Sequence, residues 1–209
     1  MSAKRYYAEI MMPFRTSVKS HLETLKKYDI EIIGPSHGPV YQNPKFILEA
    51  YADWSSDKVK NEIVIPYVSM HGSTAKMVDY LMDALSGRGV SVRPFNLVKT
   101  DIGELAMALV DAATVVIGAP AALVGPHPLV VYATYLINAL RPKTRFVSII
   151  GSYGWGSKAV ETITGMLTNL KIEMIPPVIA KGDPKEADFK ALDVLAVQIA
   201  ENHKKIGIA

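Results

Sequence analysis

The sequence predicts a doubly wound α/β domain, built on a five-stranded parallel sheet, over roughly the last three-quarters of the chain. Three observations carry this. From residue 62 onward, short apolar runs alternate with segments of helical periodicity. Several of those runs are apolar on both faces, as a parallel sheet covered by helices requires. Glycine-rich or hydroxyl-bearing loops follow the first, third and fourth runs, where open α/β sheets gather their ligands.

The elements follow in order. Glu62 to Val68 is the first strand, although Pro66 cannot donate to a ladder and calls for a bulge or an early strand start. Met77, Leu81 and Leu85 recur every four residues, with Val78 and Met82 beside them, as one helix face that Gly87 and Gly89 end. Ser91 to Leu97 is the second strand and Glu104 to Ala112 a short helix. Thr114 to Pro120 is the third strand, Leu129 to Leu140 a helix, and Arg145 to Ile150 the fourth strand. Lys158 to Leu170 is a helix, Glu173 to Ala180 the fifth strand, and Lys185 to His203 the closing helix.

Ahead of this domain the pattern changes. The polar stretch Ser55 to Glu62 reads as a linker, giving segments 1–58 and 59–209. Val18, Leu22 and Leu25 mark a helix, Ile30, Ile32 and Ile33 a short strand, and Phe46, Ala50 and Trp54, with Ile47 and Tyr51 beside them, a second helix. So short a segment cannot build a core alone and should need a partner surface.

Composition narrows the function. Apolar residues make up 49% of the chain, enough for a core and too many for a disordered chain. No apolar run approaches the ~20 residues of a membrane span, and the N-terminus lacks a signal-peptide pattern. No membrane association and a cytoplasmic location are therefore expected. With no cysteine, disulfides, thiolate metal sites and cysteine nucleophiles are excluded. A net charge of +3 is too weak to argue for nucleic acid.

The loop Ser69-Met70-His71-Gly72-Ser73-Thr74 lies between the first strand and its helix. Backbone N–H groups at a helix N-terminus, with hydroxyls from Ser69, Ser73 and Thr74, suit a phosphate, and Gly72 permits close approach. On this hexapeptide alone, Ser73 or Thr74 capping the helix explains the residues equally well. The third strand runs into Pro120-Ala121-Ala122-Leu123, and the fourth into Gly151-Ser152-Tyr153-Gly154-Trp155-Gly156. Both loops would open on the same sheet edge as the first. Aromatic walls from Tyr153 and Trp155 with exposed backbone groups suit a planar isoalloxazine such as that of FMN; taken alone, tight turns explain the glycines and a half-exposed core aromatic explains Trp155 equally well.

Together these loops resemble the flavodoxin module of the flavodiiron proteins, for which Ser-Met-x-Gly-Ser-Thr and Ser-Tyr-Gly-Trp-Gly are characteristic. The resemblance implies a flavodoxin-like sheet of order 2-1-3-4-5. Residues 120–123 depart from the family's Pro-Thr-x-Asn pattern, so flavin contacts there fall to backbone and apolar groups, and His71 stands where ordinary flavodoxins have a hydroxyl residue. Tyr6-Tyr7-Ala8, Met11 to Phe14 and Ile33-Gly34-Pro35-Ser36-His37-Gly38-Pro39-Val40 resemble the end of the family's metallo-β-lactamase-like diiron domain. The resemblance makes His37 an iron ligand, whereas a lone histidine in such a loop is more often an ordinary loop residue. The family's other ligands have no counterpart here, and one imidazole cannot hold two irons.

The resemblance implies the C-terminal, FMN-bearing part of a flavodiiron oxidoreductase, either one split between two genes, the preferred reading, or a longer chain of which this is a piece. It would take electrons from a donor such as rubredoxin or a reduced deazaflavin. It would pass them to a diiron subunit that reduces dioxygen to water or nitric oxide to nitrous oxide. Association through the N-terminal segment is expected. A free-standing electron carrier and an FMN-dependent quinone reductase are the alternatives; the second lacks a further nucleotide fingerprint.

Overall fold

The computed structural model describes residues 2–209. Its main sheet contains β1 (Lys60–Tyr67), β2 (Ser91–Asn96), β3 (Ala112–Gly118), β6 (Phe146–Tyr153), β7 (Glu173–Met174) and β8 (Val178–Lys181), all parallel. A two-residue pair, β4 (Ala121–Ala122) and β5 (Gly125–Pro126), stands apart from it. The order is β2-β1-β3-β6, with β7 and β8 sharing the fifth position beside β6. This is the flavodoxin-like order expected from the sequence.

The fifth strand is broken where one continuous strand was expected. β7 pairs with Phe146 and Val147, and β8 with Ile150 to Tyr153. Pro176 and Pro177 lie between them and have no N–H to give the ladder. The Ser148 hydroxyl instead donates to the Pro176 carbonyl at 3.2 Å. Pro66 stays inside β1: β1–β3 pairing runs through Ile63 and Val64 and resumes at Tyr67, while the register shift falls earlier, between Lys60 and Ile63.

Alternation along the strands feeds two cores. Val64, Val115, Ile117, Val147 and Ile149 face α5 (Ile102–Leu109), α6 (Pro128–Leu140) and α7 (Ala159–Met166). Ile63, Ile65, Val116 and Ile150 face α4 (Ser73–Ser86) and α8 (Glu186–Lys205). α5 starts two residues before the expected position and Ala112 begins β3. Asp101 caps α5, accepting from the Gly103 N–H at 2.9 Å. Gly103 and Leu105 to Leu109 are all buried, so no polar face marked the helix in the sequence. α7 is shorter than expected, and Asn169, beyond its end, bonds Asn138 instead.

α8 carries a buried histidine, His203. The Asn61 side-chain amide donates to the Gly89 carbonyl, which turns its oxygen toward His203 Nδ1 at 2.7 Å. Nδ1 therefore carries the proton, and Nε2 accepts from the Thr114 hydroxyl at 2.7 Å. Burial holds the imidazole pKa down at about 4. Above pH ~6.5 both folded and unfolded chains are neutral here. Below it the unfolded chain takes up a proton that the folded one refuses until about pH 4. Stability should fall by about 3 kcal/mol between these limits and then level off. Urea unfolding from pH 7 to 4 checks this; a His203→Gln variant with the same pH slope would assign the loss elsewhere.

The N-terminal segment opens with an unforeseen helix. α1 (Ser2–Tyr6) passes through a π turn (Tyr7–Met11) and a 3-10 turn (Met12–Phe14) into α2 (Arg15–Leu25). The strand expected near Ile32 is only a bridge, with Ile33 and Tyr41 exchanging backbone bonds of 3.0 and 2.9 Å. Gly34, Pro35 and Pro39 leave no run that could extend it. α3 (Pro44–Ser55) forms as expected, but its inward stripe is Ile47, Tyr51 and Trp54, while Phe46 is 67% exposed.

This segment seats on its own sheet domain. Tyr7, Ala8, Met12 and Val18 join the α5/α6 core, and the Tyr7 ring packs between Tyr51 and Trp54. Lys4 and Lys60 converge on the mostly buried Asp111 at 2.7 and 3.1 Å. The expected linker shortens to Ser56–Val59 and is pinned, because Asp57 binds Arg15 and Lys19 while Arg145 donates to its carbonyl.

Candidate functional site

β1, β3 and β6 are adjacent and parallel, so the loops that follow them share one edge of the sheet. The chain runs from β1 outward to β2 and then returns to β3 on the other side of β1. That reversal makes the crevice where ligands of open α/β sheets bind.

The first loop enters α4. Gly72 is the N-cap residue, with φ +93°, and gives no side-chain cap. Ser73 and Thr74 lie inside the helix, so helix capping does not account for their hydroxyls. Ser69 Oγ accepts from the Ala75 N–H at 3.1 Å, closing the loop on itself. Thr74 is buried, and its hydroxyl has no hydrogen-bond partner. A buried hydroxyl left alone costs about 1–3 kcal/mol, so a polar group brought to it would be well received. α4 has no acidic residue in its first turn, which leaves its positive end open to an anion. Met70 and His71 are exposed on the outer side of the loop.

The second loop is more ordered than its sequence suggests. Ala121–Ala122 pairs with Gly125–Pro126 as a small hairpin. Its tip, Leu123 and Val124, has φ of +49° and +72°. Positive φ at both turn positions matches a two-residue hairpin, where Asn-Gly is the comfortable choice. Leucine and valine there cost roughly 1–2 kcal/mol each. The tip is held from outside: the Lys158 N–H donates to the Val124 carbonyl at 2.6 Å, and the His127 N–H to that of Pro120 at 3.2 Å. The Leu123 side chain is fully exposed.

The third loop begins later than expected, because Gly151, Ser152 and Tyr153 continue β6 and pair with β8. Only Gly154, Trp155 and Gly156 turn away. Trp155 is 95% exposed and Tyr153 half-buried, so neither ring belongs to the core. Gly151 has a role that composition did not reveal. A Cβ there would collide with the Ala119 carbonyl, whose carbon would lie 2.8 Å away. Gly118 likewise lets Tyr67 lie against the backbone of β3.

The structure thus gathers the three loops and leaves His37 apart from them. Residues 2–58 contact α5, α6 and the residues that begin β1, β3 and β6, and among the described residues no hydrogen bond or ion pair joins them to the three loops. His37 is exposed, with its ring 5.5 Å from that of Tyr6. Among the described residues no three His, Cys, Asp or Glu side chains gather to hold a metal. No helix among them is long and apolar enough to cross a membrane.

No family model matches the chain. It is 34% identical over 203 residues to a nitric oxide reductase of Moorella thermoacetica, a match covering 95% of this chain and 51% of that protein. It superposes on rubredoxin oxygen:oxidoreductase from Desulfovibrio gigas with a TM-score of 0.92 at 28% identity, covering 97% of this chain and 52% of the other. The chain is homologous to the C-terminal half of the flavodiiron proteins. It spans about half the length of the curated relatives it matches. A flavodoxin from the domain Archaea shares the fold alone, with a TM-score of 0.57 at 20% identity, covering 68% of this chain and 99% of that one. The flavodiiron likeness therefore takes in the N-terminal segment as well as the flavodoxin-like domain.

Proposed function

We propose that the three loops bind FMN and that the chain is the electron-transfer part of a split flavodiiron oxidoreductase. The observation that carries the reading is the buried, unpartnered Thr74 hydroxyl at the start of α4, beside an N-cap residue, Gly72, that has no side chain to offer. A phosphate oxygen suits that hydroxyl and the helix's first amides. Ser69 and Ser73 add hydroxyls, and Met70 and His71 flank the entry. Backbone groups of Pro120, Ala121, Ala122 and Leu123 would meet the polar rim of the ring. Ser152, Tyr153, Gly154, Trp155 and Gly156 would form its other wall. Bound FMN supplies reversible storage of electrons.

In this reading residues 59–209 are the FMN-binding domain and residues 1–58 the end of a metallo-β-lactamase-like domain. Electrons arrive from a small donor such as rubredoxin or a reduced deazaflavin. They leave for a diiron site on a partner chain, which reduces dioxygen to water or nitric oxide to nitrous oxide. The names of the Moorella and Desulfovibrio proteins support that pair of gases. A free-standing electron carrier is the second reading, supported by the nearly complete coverage of the archaeal flavodoxin. It leaves the seating of α1 to α3 on the sheet domain without a purpose.

Acid release of the flavin from the purified chain should yield FMN. Gly72→Val should weaken FMN about 10- to 100-fold, because φ +93° strains a β-branched residue by ~1–3 kcal/mol. Its Cβ would point into open space, so the loss would come from the backbone and the ligand rather than from packing. Release of FAD, or unaltered FMN affinity in the variant, would count against the assignment.

A further inference from the structure

One titratable side chain, His71, stands at the start of α4 without an anionic partner. The amides of Gly72, Ser73 and Thr74 have no acceptor among the described residues, while that of Ala75 is taken by Ser69. With the buried, unpartnered Thr74 hydroxyl and the positive φ of Gly72, these amides form a concave set of donors for an anion. His71 directly precedes the set. It is exposed, and its imidazole has no hydrogen bond or ion pair among the described residues. Consecutive Cα atoms lie about 3.8 Å apart, so an imidazole one residue before the N-cap reaches the space in front of the amides.

The surrounding charges are already committed or are cations. Lys76, in the first turn of α4, is held by both oxygens of Asp183 at 2.8 Å. Asp101, after β2, is tied to Arg5. At the start of α8, Glu186 pairs with Lys190, and Asp188 accepts from the Lys185 N–H. Asp79 lies about 10 Å further along α4. Glu161 belongs to α7, which packs on the other face of the sheet. Lys99, Lys158, Lys181 and Lys185 supply only positive charge. A protonated His71 therefore has no carboxylate to meet in the free chain and gains an anion only with a ligand. We propose that His71 couples flavin binding to proton uptake, its imidazolium pairing with the phosphate dianion of FMN. The inference rests on the FMN reading and adds a charge switch to that site. The proton comes from solvent, and no covalent bond changes. Imidazoles change charge between about pH 5 and 8, and a phosphate monoester keeps its second charge above pH ~6. The gain is complete where the free imidazole is already charged and is lost once the bound one is neutral, so affinity rises as pH falls toward about 6.5.

Dissociation constants of the full chain, freed of flavin, for FMN and for riboflavin at about pH 8.5 and 6.5 test this. His71→Gln should match the parent at the higher pH and bind FMN about 2- to 4-fold more weakly at the lower, the scale of an exposed ion pair. His71→Lys, whose charge does not titrate in this window, should keep the tighter FMN affinity at both. Riboflavin lacks the phosphate and should bind the parent and both variants alike. An equal His71→Gln loss at both pH values, or none at either, would overturn the proposal. So would a pH-dependent loss that riboflavin shares, which would put the imidazole against the ring. A parent that binds neither flavin would strike the FMN reading itself, and this inference with it.

Discussion

Gly151→Ala should lose about 3 kcal/mol of stability and most of its FMN affinity, the largest effect of a single methyl group in this domain. Gly151 sits in β6, beside the point where β3 leaves the sheet. The added Cβ would meet the backbone carbonyl of Ala119, not the end of a flexible side chain. Neither strand can retreat easily, because the Ala119 N–H donates to the Ile150 carbonyl at 2.8 Å. Ser152 and Tyr153 are in turn paired with Ala180 and Lys181 on the far side. Relief would come from moving Ala119 and Pro120 outward, which displaces the second loop from the first and third. Urea unfolding and FMN titration measure the two losses. Gly34→Ala is the control, since it lies outside the three loops and a Cβ there meets open space, and it should change both by little. A Gly151→Ala protein as stable and as tightly flavinylated as the parent would show that the loops are not held by this contact.

That contact also shows where the sequence stopped being informative. The strands and helices after residue 60 were legible because short runs apolar on both faces alternate with segments whose apolar residues repeat about every four, and the loop positions followed from the alternation. Gly151 read only as a turn glycine, because its neighbour Ala119 is distant in sequence and close only through the β3–β6 pairing. The break at Pro176-Pro177 was written in the chain, yet the apolar run on either side outweighed it. α1 and its π turn carried no signal of their own: Tyr7, Ala8 and Met12 are buried by α5, α6 and α3 rather than by a face that a local period would reveal. The same cause put Phe46 on the apolar face of α3 together with Ile47, Tyr51 and Trp54, whereas the structure exposes it. At the site, the hydroxyls were visible in Ser69, Ser73 and Thr74, but not which of them would be left without a partner.

His37→Ala should leave flavin content unchanged and, in the assembled complex, lower iron content and gas reduction together. His37 is exposed at the edge of an apolar groove, facing away from the core, with its ring against Tyr6 and no hydrogen-bond partner among the described residues. An imidazole so placed is free to complete a site on another chain. By itself it offers one ligand, and stable iron binding needs several deprotonated groups at fixed distances. The isolated chain should therefore hold no stoichiometric iron while retaining FMN. With the partner present, removal of one ligand of a diiron pair lowers metal affinity by 10-fold or more, by analogy with the ~10–100-fold cost of losing even an outer partner of a metal ligand. Among the described residues no hydrogen bond or ion pair joins the three candidate loops to residues 2–58, so the two losses should separate cleanly. Iron analysis and consumption of nitric oxide or dioxygen, for the parent and His37→Ala, each with the partner chain, decide the matter. Full iron and full activity in the variant would return His37 to the rank of an ordinary loop residue, and the electron acceptor would then have to assemble its metal without help from this chain.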